Sequence, residues 1–191
     1  MKNLNKKGQT KYRINDEQLL KDVLFHDYQI IKKMRAPDGN KIKMLSTLFS
    51  INPNCWRVVG ITPAALEIFA ENKYKKVPRM GINRSHIKQR HSFYQSLLDS
   101  EISNKHEFWE KYYNNDMTVL ATSSENMKND SSILDKSIHV PNDHRDLFRT
   151  SGYAWKHKEE EEVFLKEIHF KFKNKEPLKL LNQREINEIR L

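Results

Sequence analysis

Three polar positions in the middle of the chain bracket one short apolar run. His86 ends an extended segment, Asn114-Asn115-Asp116 precede Met117-Thr118-Val119-Leu120-Ala121-Thr122, and Glu125-Asn126 follow it. In an antiparallel strand pair backed by a helix, the imidazole and the carboxamide can meet at one phosphate. Neutral imidazole, with an unperturbed pKa of roughly 6.5, then takes a proton from water. A divalent ion held nearby neutralises the leaving oxygen and the charge of the transition state. The expected chemistry is phosphodiester hydrolysis, with His86 as general base. His91 competes with His86 for that role, and Asn114, Asn115 and Asp116 are alternatives in the turn before the strand.

These residues need elements to hold them. Asp16 to Arg35 spaces Leu20, Leu24 and Ile31 as a helix does, with Asn15 or Asp16 able to cap its start and Lys32, Lys33 and Arg35 at its end. Ala36 to Asn40 has turn chemistry, and Lys41 to Ile51 is apolar without a clear period. Trp56 to Ile61 predicts a buried strand, and Thr62-Pro63 a capped helix start. Met80 to Ile87 is predicted extended, His91 to Ser100 and His106 to Tyr113 helical, and Met117 to Thr122 a β-branched strand. Ser123 or Ser124 caps a helix over Glu125 to Asn129. Residues 130–154 read as loop, Trp155 to Lys173 as an amphipathic helix with Val163, Phe164, Ile168 and Phe172 on one side, and Leu178 to Leu191 as a last helical piece. Four consecutive acids, Glu159 to Glu162, point around a helix instead of converging, so a solvated face is expected. The aromatic residues Trp109 and Tyr112 are expected to pack in the core; stacking on bases is the other use of such a helix.

The predicted fold class is α+β, mainly helical, with a small antiparallel β-hairpin and helix at its centre. The segmentation is a flexible basic arm over 1–13, a helical and strand part over 14–76, the catalytic region over 77–130 and a C-terminal loop with helices over 131–191. At 191 residues the chain is expected to share one interior, to which Trp56, Trp109 and Trp155 all contribute.

Charge narrows the partner. Lys and Arg number 34 against 25 acidic residues, a formal net charge of +9, which points to a polyanion. From Asn72 to Leu98 there are seven basic residues and no Asp or Glu. Within that stretch Arg79, Arg84, Lys88 and Arg90 are expected to contact phosphates of double-stranded DNA. No run reaches the roughly 18 apolar residues of a membrane span, and the N-terminus lacks the apolar run of a signal peptide, so a cytoplasmic protein without a membrane partner is expected. Cys55 is the only cysteine, which excludes an intrachain disulfide and a thiolate-rich zinc site.

Thr122-Ser123-Ser124-Glu125-Asn126 resembles the Thr-x-x-Glu-Asn ending of many phage and homing HNH (ββα-metal) nucleases, and Arg84-Ser85-His86-Ile87 is similar to the His-Ile element that supplies their base. The resemblance spans Met80 to Asn129. It implies a DNA endonuclease using Mg²⁺ or Mn²⁺, with His86 as base, Asn115 or Asn114 bracing the loop, and Asn126 as metal ligand. Ser85 stands where many members have an acidic second ligand, which implies a water-rich site. The insert between His86 and Asn115 is longer than usual, and no zinc can fix this loop. A homodimer is left open. Two other functions fit the same composition: a non-catalytic DNA-binding protein, and a metal-independent restriction glycosylase that excises a flipped base.

Overall fold

The computed structural model describes residues 17–50, 56–77, 79–127, 133–141, 159–182, 184 and 186, and the basic arm expected over 1–13 lies outside them. The chain divides into two compact units instead of one shared interior. The first takes Met1–Cys55, Lys88–Asp116 and Thr150–Ala154; the second takes Trp56–Ile87, Met117–Arg149 and Trp155–Leu191. Trp56 and Trp109 therefore serve different interiors, because the segment between Lys88 and Asp116 carries apolar faces that pack with its own unit. Trp155 lies outside the described residues.

The first unit is helical: α1 (Glu17–Lys33), α2 (Asp38–Ser50), α4 (Arg90–Asp99) and α5 (Lys105–Asn115). In α1 the spacing of Leu20, Leu24 and Tyr28 puts three side chains on one buried stripe. The turn chemistry at 36–40 starts a helix: Pro37 accepts from the amides of Asn40 and Lys41, and Asp38 complements the positive end of α2. Its period then buries Ile42, Leu45 and Phe49. Asn104 caps α5 by accepting from the Glu107 amide at 3.0 Å. Six aromatic rings fill the interior, with Tyr28 and Phe108 centroids 4.7 Å apart and Phe49 and Tyr112 at 4.6 Å. Tyr112 belongs to this core and Trp109 packs against it, with Lys21 over its ring.

The second unit is a four-stranded mixed sheet in the order β2-β3-β1-β4, where β1 is Arg57–Ile61, β2 Ile82–His86, β3 Met117–Thr122 and β4 Ile138–His139. Strands β1 and β3 are parallel; β2 pairs antiparallel with β3, and β4 with β1. Both central strands are buried along their whole length, as their continuous apolar runs require when both faces are covered. On one face Val58, Ile61, Ile82 and Leu120 pack with Leu66 and Phe69 of α3 (Pro63–Glu71) and with Phe164, Leu165 and Ile168 of α8 (Glu159–Lys173). On the other, Val59, Met117 and Val119 meet Ile133 of α7 (Ile133–Lys136), Leu181 and Ile186. Gly60 sits at the register shift in β1; a Cβ there would lie 3.0 Å from Leu181 Cδ2 and 3.3 Å from Ser137 Cβ.

The class is α+β, and several expectations change. The loop expected over 130–154 contains α7 and β4, elements too short to leave a periodic signal. Residues 178–182 are extended, not helical: Leu180 bridges Ile138, and Leu181 N donates to Ser137 O at 2.7 Å. The acidic run opening α8 is not a uniformly solvated face, since Glu161 is only 1% exposed. Val163 is exposed and Leu165 takes its expected place in the core. One turn of helix aims successive side chains 100° apart, so a four-acid run cannot all face water when one stripe packs on a sheet.

Candidate functional site

Strand β2 begins after Gly81 and pairs residue by residue with β3, Ile82 with Thr122, Arg84 with Leu120 and His86 with Thr118. Paired residues share a face, so Ile82, Arg84 and His86 line one side of β2 while Asn83 and Ser85 line the other. This places His86 and Arg84 two residues apart on the same face, about 7 Å between Cα atoms. The His86 ring is half-buried, with its Nε2 enclosed. The Trp56 ring meets it edge-on, at 5.0 Å between centroids and 78° between planes. Thr118, opposite His86, donates its hydroxyl to the carbonyls of Trp56 and Arg57 at 3.0 Å. That bond ties the start of β1 to the strand that carries the histidine's partner.

At the other end of β3 the chain turns directly into α6 (Ser123–Met127). Glu125 anchors this turn. Its Oε2 accepts from the Thr122 amide at 2.8 Å, from the Thr122 hydroxyl at 2.9 Å and from the Thr62 hydroxyl at 2.9 Å. The Glu125 amide in turn donates to Thr122 Oγ1 at 3.2 Å, a reciprocal capping pattern. Thr62 also caps α3, its Oγ1 accepting from Ala65 N at 3.1 Å. A single carboxylate thus joins β3, α6 and the start of α3. Within Thr122 to Asn126 the glutamate makes these bonds, and Asn126 is half-buried on α6.

The expected site residues are divided between the two units. His86, Asn126, Arg79 and Arg84 belong to the sheet unit; Asn115, Lys88 and Arg90 belong to the helical unit. Asn115 is the last residue of α5 and not part of a loop; its Nδ2 donates to Lys111 O at 2.7 Å and its Oδ1 accepts from Lys88 Nζ at 3.3 Å. Those bonds brace the end of α5. His91, the rival base, is exposed on the first turn of α4. His86 faces Thr118, and α6 starts beyond Thr122, so the strand register alone separates the base from the helix by about 13 Å. Among the described residues there is no group of three or more His, Cys, Asp or Glu able to hold a metal. A carboxamide at Asn126 is a hard oxygen donor of the kind Mg²⁺ accepts alongside its own waters.

One residue escaped the sequence reading. Lys76 counted only as one of seven basic residues, yet burial, reinforced by the neighbouring Arg84 charge and opposed by Glu161, pushes its ammonium down to about 8. Nothing in the local sequence signals this, because α8 supplies part of its surroundings from far along the chain. Comparison with family models, with curated proteins and with solved structures finds no match to this chain. Among the described residues no helix is long and apolar enough to cross a membrane.

Proposed function

We propose that the protein is a metal-dependent DNA endonuclease of the ββα-metal type that uses a single Mg²⁺ or Mn²⁺, with His86 as general base; Asn126, toward the other end of the β2–β3 pair, is the carboxamide that the resemblance assigns to that ion. The observation that carries this reading is the order β2-β3-α6 within one unit, with Arg84 and His86 side by side on one face of β2. A bound divalent ion would polarise the phosphodiester and stabilise the departing oxygen. His86 takes the proton of the attacking water, Arg84 holds the phosphate against it, and the Trp56 ring fixes the imidazole's orientation. Arg79 extends the basic surface along the incoming backbone, and Lys88 and Arg90 offer further phosphate contacts from their own unit. Asn115, which the resemblance assigns to bracing the site, holds the end of α5 through Lys111 and Lys88. Double-stranded DNA is the substrate class; two copies of the chain, each with one such site, would let both strands be cut in one encounter.

The test is incubation of the purified chain with plasmid, with Mg²⁺ and with EDTA. Nicked or linear product that disappears in chelator supports the reading. Cleavage that persists in EDTA overturns it. Abasic sites without strand breaks would identify a glycosylase, and binding without any product would identify a non-catalytic DNA-binding protein.

A further inference from the structure

The segment leading into β2 is built more elaborately than a connector requires. Lys76, Arg79, Asn83 and Ser123 line a pocket of about 580 Å³, a size that takes a nucleotide-scale ligand. Two of its residues hold left-handed backbone, Arg79 at φ +60° and Gly81 at φ +75°. For arginine that conformation costs on the order of 1 kcal/mol, and such strain concentrates where a loop is shaped for a ligand. The wall is fixed by Ser123, whose amide and hydroxyl both donate to Gly81 O, at 2.7 and 3.0 Å, while Asn83 Nδ2 donates to Ser123 Oγ at 3.0 Å. Lys76 and Arg84 stand close enough for their charges to repel while Lys76 is half-buried. The Glu161 carboxylate offsets part of that repulsion, and an anion in the pocket would offset more of it.

We propose that this pocket binds the phosphate group of a nucleotide unit, with Lys76 and Arg79 neutralising its charge and Asn83 and Ser123 offering hydrogen bonds to the sugar or base. The phosphate chemistry stands on the pocket itself; the choice of a DNA strand as its source rests on the nuclease reading. The position is consistent with that reading, because Ile82, at the edge of the pocket, begins the strand that carries Arg84 and His86. A backbone phosphate seated here would fix the register of the strand being cut. A free nucleoside monophosphate presents the same group, so the experiment includes both.

The full chain is titrated in EDTA with a short fluorescently labelled duplex, alone and in competition with adenosine monophosphate or adenosine. Lys76→Met and Arg79→Met should each weaken duplex binding about tenfold or more, the worth of one charge-assisted hydrogen bond. Lys43→Met removes the same charge from an exposed position on α2 and should change binding less than about twofold, as loose surface charges do. Displacement of the duplex by the monophosphate but not by adenosine supports the pocket and adds the free nucleotide as a ligand. No displacement, together with the loss in the two variants, supports the pocket and assigns it to the strand. Equal effects in all three variants, or none in the pocket variants, overturn the proposal. Arg79 is exposed, so its variant remains informative if Lys76→Met fails to fold. Because chelator suspends catalysis, binding through the pocket without cleavage in Mg²⁺ would refute the nuclease and leave the pocket standing. Cleavage with unchanged binding would do the reverse.

Discussion

Replacing Glu125 tests whether this residue of the Thr-x-x-Glu-Asn element is an architectural joint. Three donors converge on its Oε2 within 2.9 Å, two from Thr122 and one from Thr62. Thr62 is 1% exposed and Thr122 8%, so water reaches neither hydroxyl readily. Hydrogen bonds to a charged group are worth about 1.5–3 kcal/mol each, and an orphaned buried donor costs about 1–3 kcal/mol. The hydroxyls can rotate to other acceptors and the losses are not additive, so Glu125→Ala should cost about 2–4 kcal/mol. That corresponds to a fall of roughly 10–20 °C in the melting temperature of the sheet unit. Glu125→Gln keeps one acceptor oxygen and should lose about half as much. The assay is denaturant unfolding followed by Trp56 fluorescence in a background with Trp109 and Trp155 replaced by Phe, combined in a double-mutant cycle with Thr62→Val. Because both substitutions break the same bond, the cycle should show a coupling of about 1 kcal/mol or more. Additivity within about 0.5 kcal/mol, or an alanine variant as stable as wild type, would refute the account of this joint.

Gly60→Ala should destabilise the sheet unit by about 1–3 kcal/mol, since the new methyl meets Leu181 and Ser137 at overpacked distances; Gly39→Ala, with nothing within 4 Å in the first turn of α2, should instead gain about 0.5–1 kcal/mol. Denaturant midpoints of the pair check both signs. Burial, with a smaller push from Glu107, raises the Tyr28 phenol to about 12 while its hydroxyl donates to Leu97 O at 2.8 Å. The folded state then keeps a proton that the unfolded chain releases above pH of about 10, so this contribution is intact below that pH and is lost on the way to 12. The stability deficit of Tyr28→Phe should therefore shrink as pH rises through that window, and a deficit that stays constant would contradict it. Lys76, lowered to about 8, has the opposite linkage: the unfolded chain binds the extra proton between about 8 and 10.5, so stability rises with pH there. Unfolding curves of Lys76→Met should show higher stability at neutral pH and no such rise. His86→Ala should lose about 10² to 10⁴ in cleavage rate with its melting temperature held, and His91→Ala should lose far less. A folded His86 variant within about tenfold of wild type removes the base assignment.

Much of the sheet unit was legible because its signals are local. Thr62-Pro63 announces a cap and a fixed φ at one helix start, and the β-branched run from Met117 to Thr122 announces β3. The helices of the first unit were legible for the same reason, apart from α2, where the turn residues 38–40 form its first turn. What escaped depends on partners remote in sequence. The buried Glu161 and the lowered Lys76 pKa arise from α8 packing on the sheet, and the extended strip at 178–182 exists only because β4 offers it an edge. The expected site shows the same division. His86 and Asn126 could be placed on a strand and a helix, but not in register, and the register sets them toward opposite ends of the β2–β3 pair. Asn115 was mistaken for a turn residue because Asn114-Asn115-Asp116 has turn composition, while the helix before it runs to Asn115.

The two units alternate along the chain, and this has a consequence for synthesis. Helices α1 and α2 leave the ribosome first with their apolar stripes exposed, and their partners α4 and α5 are not complete until Asn115. Strand β1 likewise waits for β3, which begins at Met117, and α3 for α8, which ends at Lys173. Vectorial folding at roughly 5–20 residues per second therefore closes the helical unit first and the sheet unit seconds later. Until β3 is made, the buried strand β1 has no partner. A nascent chain stalled between Asp116 and Lys173 should thus yield a protease-resistant helical core attached to an unfolded, chaperone-binding remainder.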